Sequence, residues 1–180
     1  KAFPQSPWQR RARFEEAAAA VGQGDYRAAE RIYRGEAEDL FGSGRKQQIA
    51  GIYLEFADAA FQPSDPLGEP DYRKALEFYS AALGAGLGAA KRPEVELLAA
   101  RCCQELGDGA AAIERFARFA DDHPGHALLV EARFRLGECQ LSSGKRAEAR
   151  RTWEDLLAEC GQSDSPRIAE AAFRLAETRG

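Results

Sequence analysis

One stretch of the sequence repeats itself after 37 residues. A glycine, a small residue and an aromatic residue keep the same order and spacing in both copies. The matching pairs are Gly107 and Gly144, Ala112 and Ala149, and Phe116 and Trp153. Periods of about 20 to 50 residues are typical of proteins that stack one small unit on the next. The pattern therefore predicts a repeat protein, although it does not name a partner.

The repeated unit is predicted to be a helical hairpin. Alanine and arginine, which favour helices, are abundant, whereas the β-branched residues that favour strands are scarce. Apolar residues also recur at helical spacing on both sides of each turn. The predicted hairpins cover residues 8–42, 45–84, 93–122 and 127–160, and a final helix without a partner covers 165–178. We expect residues 1–180 to form a single all-α domain.

The second hairpin carries an insertion between its helices. Asp25 and Asp71 precede equivalent helices and suit the N-cap position, where a carboxylate accepts hydrogen bonds from backbone N–H groups. Before Asp71, residues 62–70 contain three prolines, which end helices. We expect an enlarged surface loop here. Such a loop either carries specificity or is tolerated because lengthening a loop costs little free energy.

Charge and hydropathy argue against two classes of function. The net charge is -4, whereas a nucleic-acid platform needs a clustered excess of Lys and Arg. No apolar stretch is long enough to span a bilayer, so membrane insertion is not expected. The chain contains no Met and begins at Lys1, from which we expect a fragment of a longer protein.

The sequence contains no recognisable catalytic or cofactor motif. The serine-hydrolase elbow, the phosphate loop, the dinucleotide fingerprint and the HExxH zinc motif are all missing. We therefore expect neither enzymatic activity nor a cofactor. His123 and His126, beside Asp121 and Asp122, could ligate a metal ion, or could simply form a turn around Pro124.

The four cysteines fit no zinc-binding spacing. They are Cys102, Cys103, Cys139 and Cys160. We expect them to be buried as small hydrophobic residues, with adjacent Cys102 and Cys103 on different faces of one helix. A disulfide from either residue to Cys139 stays open as an alternative, as does the compartment.

The hairpins resemble tetratricopeptide repeats. This family places a pair of adjacent residues, either two small ones or a leucine and a glycine, in the first helix (helix A). It places a glycine at the turn. In the second helix (helix B) it places an alanine and, four residues later, an aromatic residue. The fourth hairpin has Leu136, Gly137, Gly144, Ala149 and Trp153; the third has Ala99, Ala100, Gly107, Ala112 and Phe116. The first has Ala17, Gly24, Ala29 and Tyr33; the second has Gly51, Ala75 and Tyr79, with Pro70 where the turn glycine belongs.

The resemblance implies a right-handed α-solenoid of about four such hairpins plus the unpartnered C-terminal helix. It also implies a non-catalytic protein–protein interaction module that binds a peptide, a helix or a neighbouring domain in a concave groove lined by helices A. The alternative is a structural spacer or a self-association domain, with a homodimer formed through the terminal helix. Repeat spacings of 37 and 39 residues are similar to those of bacterial envelope-associated members. This similarity favours the bacterial periplasm or cell envelope and leaves the cytoplasm open.

The implied groove supplies a set of candidate binding residues. They are Phe14, Ile52, Arg101, Gln104, Phe134, Arg135, Glu138, Phe173 and Arg174. The four apolar ones are expected to be exposed. Arg101, Arg135 and Arg174 form a stripe that could bind carboxylates through paired hydrogen bonds, unless they pair with Glu131 or Glu138 instead. Family members that hold a terminal carboxylate of a chaperone need two asparagines, and this chain contains no asparagine.

Overall fold

A computed structural model of the chain describes residues 7–40, 46–63 and 67–178. The regular secondary structure in these ranges consists of nine α-helices. They are α1 (Pro7–Gly22), α2 (Tyr26–Leu40), α3 (Lys46–Phe61), α4 (Tyr72–Gly84), α5 (Arg92–Glu105), α6 (Gly109–Asp122), α7 (Leu129–Ser142), α8 (Arg146–Cys160) and α9 (Pro166–Glu177). The predicted hairpin ends at residues 42 and 45 lie outside the described residues. Within the described ranges, no helix combines the length and apolar character needed to cross a membrane.

The turns of three hairpins have the same backbone geometry. Gly24, Gly107 and Gly144 adopt φ values of 74°, 75° and 77°, a left-handed conformation that other residues rarely adopt. Each glycine N–H bonds the carbonyl three residues before it, and the next N–H bonds the carbonyl five residues before it. This is the Schellman arrangement, which satisfies the last carbonyls of helix A. The glycines therefore reverse the chain at the positions that the sequence pattern predicted.

Aspartates begin the helices that follow. Asp25, Asp71 and Asp108 each accept a hydrogen bond from the backbone N–H three residues later, at 3.0 Å. The N-cap predictions for Asp25 and Asp71 are confirmed. In the second hairpin the backbone N–H of Asp71 also donates to the carbonyl of Ala60 at 2.8 Å. The longer connection between α3 and α4 is thus closed at its base, so that the insertion leaves the helix pairing intact.

Three hydrophobic clusters lie along the chain, and neighbouring clusters share helices. The first contains residues of α1 to α5, the second residues of α5 to α7, and the third residues of α7 to α9. Cys102 belongs to the first cluster and Cys103 to the second, which confirms that the adjacent cysteines face different sides of α5. Because α5 and α7 each contribute to two clusters, successive hairpins are packed into one continuous stack.

The cysteines behave mainly as small core residues. Cys102, Cys103 and Cys139 are buried, Cys160 is partly buried, and all four are free thiols in this structure. Burial raises the pKa of Cys102 to about 12. The thiol is therefore protonated and poorly nucleophilic near neutral pH.

The helix B aromatic fixes the distance between the two helices of its hairpin. Trp153 is fully buried, and its indole Nε1 donates to the carbonyl of Phe134 at 3.2 Å. The Tyr33 hydroxyl makes the corresponding bond to the carbonyl of Phe14, also at 3.2 Å and across the same sequence separation of 19 residues. A Cβ atom at Gly137 would overlap Nε1 and Cε2 of Trp153. Only glycine leaves room for the indole at this position.

Gly137→Ala should therefore destabilise the fold, although alanine favours helices. The methyl group forces the indole to shift, which we expect to lower the free energy of unfolding by about 1–3 kcal/mol. Gly51→Ala is the control, because Gly51 also lies within a helix A, α3, and nothing is within 4 Å of its added Cβ. Helix propensity should stabilise that variant by about 0.5–1 kcal/mol. Urea denaturation of both variants tests the contrast, and equal effects would contradict it.

Candidate functional site

The polar groove candidates form a connected row across three helices. The Nη1 atom of Arg135 donates to Oε1 of Gln104 at 3.0 Å, which joins α7 to α5. The Nη2 atom of Arg174 lies 3.5 Å from Oε1 of Glu138, which joins α9 to α7. Arg101 lies on the same side of α5 as Gln104. We call the surface that these five residues form on α5, α7 and α9, together with the adjoining side of α3, the A-helix face. The structure thus brings together the candidates that the sequence placed on one face.

The apolar candidates do not share one environment. Phe14 and Ile52 are half-buried against the first core cluster. Phe173 is 63% exposed on α9, as predicted, but Phe134 is only 2% exposed. The expectation of an exposed Phe134 is wrong because this residue lies one helical turn after Val130, on the stripe of α7 that packs into the third cluster. The Arg167 guanidinium covers its ring, with Cζ 4.9 Å from the ring centroid.

An ionic network occupies the part of the A-helix face between α7 and α9. Glu131 accepts hydrogen bonds from Nε of Arg135 and, at 2.6 Å, from Nε of Arg167. Burial acts to raise the pKa of Glu131, but the hydrogen bonds from Arg167 and Arg135 outweigh it and hold this pKa below its ordinary value. Glu131 therefore remains ionised at neutral pH and neutralises both arginines.

Arg174 is also paired within the chain. Its guanidinium contacts Glu138 at 3.5 Å and Glu177 at 3.2 Å. Arg135 and Arg174 therefore follow the alternative interpretation, in which the arginines of the stripe neutralise neighbouring glutamates. A ligand carboxylate at either position would have to displace a bond that already exists.

Arg101 differs from the other two arginines of the stripe. It makes no ion pair with any described residue, and its Nε atom is buried without a hydrogen-bond acceptor. Its Cζ atom lies 4.9 Å from the centroid of the Phe61 ring, in the range of a cation–π contact. The Phe61 ring thus restricts the orientation of the Arg101 guanidinium. The guanidinium makes no hydrogen bond with any described residue.

Arg101 forms part of the wall of a groove between α3 and α5. The groove has a volume of about 630 Å³ and is lined by Glu55, Asp58, Ala59, Phe61, Gln62, Tyr79, Glu94, Leu98 and Arg101. We call it the Arg101 groove. The Tyr79 hydroxyl donates to Oδ1 of Asp58 at 2.8 Å. Burial and, after it, this hydrogen bond raise the pKa of Tyr79, so the hydroxyl stays protonated and keeps Asp58 in place.

Of the residues that line this groove, sequence reasoning identified Arg101 but missed Asp58, Phe61 and Tyr79. Asp58 lies three residues after Glu55, and this spacing places both on the same side of a helix, so it offered a usable signal. Phe61 and Tyr79 match the pattern of core aromatic residues. Nothing in that pattern shows that their edges reach a groove.

The two histidines lie in the turn that follows α6, and their rings pack against the ring of Phe119. The His123 ring centroid lies 4.8 Å and the His126 centroid 6.1 Å from that of Phe119. Nε2 of His123 is 2.7 Å from Oε2 of Glu96, and Nδ1 of His126 accepts from the backbone N–H of Leu128 at 3.1 Å. In the part of the chain that the structure describes, no three His, Cys, Asp or Glu residues are grouped to hold a metal ion.

Comparison with known proteins agrees with this architecture. Residues 131–163, which include α8 and most of α7, match the family model of the tetratricopeptide repeat. The chain has the fold of a tetratricopeptide repeat (TPR) solenoid. The matched segment of this TPR solenoid contains Gly137, Gly144 and Trp153, the residues that set its turn and its helix spacing. No curated protein matches the sequence.

Solved structures share the fold of the TPR solenoid at low sequence identity. A tetratricopeptide repeat protein from Parabacteroides merdae is 18% identical, with a TM-score of 0.60 over 95% of this chain and 60% of that one. A variant of nearly identical TPR-like repeats from Podosopora anserina is 15% identical, with a TM-score of 0.61 over 97% and 86% of the two chains. A second structure of those repeats is 17% identical, with a TM-score of 0.58 over 97% and 87%. These likenesses show the fold.

The different environments of two arginines predict different effects on stability. Arg101→Met removes a buried N–H that has no acceptor, at the loss of one cation–π contact, so the free energy of unfolding should change by less than about 1 kcal/mol. Arg135→Met deprives Gln104 and Glu131 of a partner and should cost about 1–3 kcal/mol. Thermal and urea denaturation measure both. If Arg101→Met cost as much as Arg135→Met, Arg101 would be a structural residue and not an open binding group.

Proposed function

We propose that this TPR solenoid is a non-catalytic protein–protein interaction module that binds a peptide, a helix or a neighbouring domain on its A-helix face. The Arg101 groove is the centre of that site. The observation that carries the proposal is the Arg101 guanidinium, which forms no ion pair with any described residue and lines a groove of about 630 Å³. A carboxylate of a partner is the group that would pair with it.

The energetic argument depends on what each arginine already contacts. The Nε atom is closed to solvent, so a ligand carboxylate would bond the Nη groups of Arg101, which make no hydrogen bond with any described residue. A hydrogen bond to a charged group contributes about 1.5–3 kcal/mol. Stacking on Phe61 restrains the Arg101 side chain beforehand, so that binding loses less side-chain entropy. Arg135 and Arg174 offer no such gain, because their glutamate partners already satisfy them.

The groove itself is suited to binding and not to catalysis. Asp58 is held by the Tyr79 hydroxyl, whose raised pKa keeps it protonated and poorly nucleophilic. The walls instead combine an aromatic ring, an aliphatic Leu98 and charged groups. Such a mixture is typical of sites that recognise peptide side chains.

Selection from a random peptide library tests this function. The wild-type protein should enrich peptides that bind in the micromolar range, and Arg101→Gln should weaken the selected peptides by roughly tenfold, which is the usual worth of a charged hydrogen bond. Arg118→Gln is the matched control, because Arg118 is an exposed residue of α6 that pairs with Glu114 on the same helix. Failure to enrich any peptide, or equal binding by Arg101→Gln, would contradict the proposal.

Self-association through α9 is a second candidate function. Phe173 is 63% exposed on α9, whose opposite side is held in the third core cluster by Ala171 and Leu175. An exposed aromatic ring on a helix that packs on one side only favours contact with another copy or with a neighbouring domain. This candidate corresponds to a role as a structural spacer or homodimer.

Phe173→Glu should abolish any such dimer. A charge at the centre of an apolar contact is not tolerated, so the variant should be monomeric by sedimentation at every concentration at which the wild type associates. Leu67→Glu is the matched control, since Leu67 is also a large exposed apolar residue, at 92%, but lies in the α3–α4 connection. A wild-type protein that stays monomeric at high concentration would exclude this candidate.

A further inference from the structure

The charges that line the Arg101 groove are unequal in number. One guanidinium, that of Arg101, shares the groove with three carboxylates, those of Glu55, Asp58 and Glu94. None of the three forms an ion pair with any described residue. Elsewhere on the A-helix face the carboxylates are neutralised, Glu131 by two arginines and Glu138 by Arg174. The groove is therefore the part of this face where charges of both signs remain available.

The sequence explains why the α3 wall keeps its negative charge. Residues 47–62 contain no Lys or Arg, so Glu55 and Asp58 lack the basic residue three or four positions away that usually pairs with a helical carboxylate. Other helices have such pairs, for example Arg11 with Glu15 and Arg92 with Glu96. The charge of Glu55 also acts on its surroundings: burial first, and then this charge, raise the pKa of the nearby Tyr33 hydroxyl to about 12.

We propose that the Arg101 groove recognises a peptide segment that carries both charge signs, with a carboxylate for Arg101 and a Lys or Arg side chain for Glu55 and Glu94. The inference rests on the binding function proposed above and adds the chemistry of the ligand. The acid pairs with the guanidinium of Arg101. The base lies beside Glu55 and Glu94, which have no paired cation among the described residues.

Segments of one charge sign fit the groove less well. A purely acidic segment would satisfy Arg101 but would bring further negative charge toward three carboxylates, and like charges brought together at an interface are strongly disfavoured. A purely basic segment would leave the guanidinium of Arg101 without a paired carboxylate and would add a cation beside it. Only a segment with an acid near a base satisfies both the guanidinium and the carboxylates.

Three pools of fluorescein-labelled peptides of equal length test the inference by fluorescence anisotropy. One pool carries Glu as its sole charged residue, one carries Lys, and one carries both. The wild-type protein should bind the mixed pool at least about tenfold more tightly than either other pool, since each charged contact is worth roughly that factor. The preference should weaken as salt is added.

Two variants should change this preference in opposite ways. In Arg101→Gln the mixed pool should lose its advantage over the basic pool, because the contact to the acid is gone. In the double variant Glu55→Gln and Glu94→Gln, whose side chains are exposed, the mixed pool should lose its advantage over the acidic pool. Arg118→Gln serves as the unchanged control, and thermal denaturation verifies that each variant is folded.

Two negative outcomes are distinguishable. If the wild type binds the acidic or the basic pool most tightly, or if Arg101→Gln leaves the order of the pools unchanged, the mixed-charge inference is wrong while the binding function stands. If the wild type binds none of the pools, both the inference and the proposed function fail.

Discussion

The left-handed glycine at the turns of three hairpins is the constraint on which most of the structure depends. Gly24, Gly107 and Gly144 reverse the chain within a few residues while their turns still satisfy the carbonyls at the helix ends. Such a short reversal requires that helices A and B lie side by side. Only then can the helix B aromatic reach across to a helix A carbonyl, as Tyr33 and Trp153 do. The hairpins, the stack and its binding face all follow from that local geometry.

The features that the sequence predicted best are those decided by neighbouring residues. Turn glycines, the caps at Asp25 and Asp71, and the burial of Cys102 and Cys103 on different sides of α5 depend on local conformation and helical periodicity. Those signals lie within a few positions of each other. The fold class could therefore be predicted in full from the residue pattern.

The state of each arginine could not be predicted in the same way. Arg101, Arg135 and Arg174 occupy similar sequence patterns, yet Arg135 is fixed by Gln104 and Arg174 by Glu138, residues 31 and 36 positions away. Arg101 forms no ion pair with any described residue: it contacts the Phe61 ring, and the carboxylates of α3 that line the same groove do not pair with it. Burial of Phe134 likewise depends on α8 and α9. Contacts between repeats, which a single-repeat pattern does not encode, decide the binding site.

The sharing of α5 between two core clusters has a mechanical consequence. One side of α5 carries Leu97 and Cys103 into the second cluster, while the other carries Val95 and Cys102 into the first. The helix therefore cannot swing outward to widen the gap to α3 without opening a core on its far side. The width of the Arg101 groove is therefore set by α5, a helix that is packed on both sides.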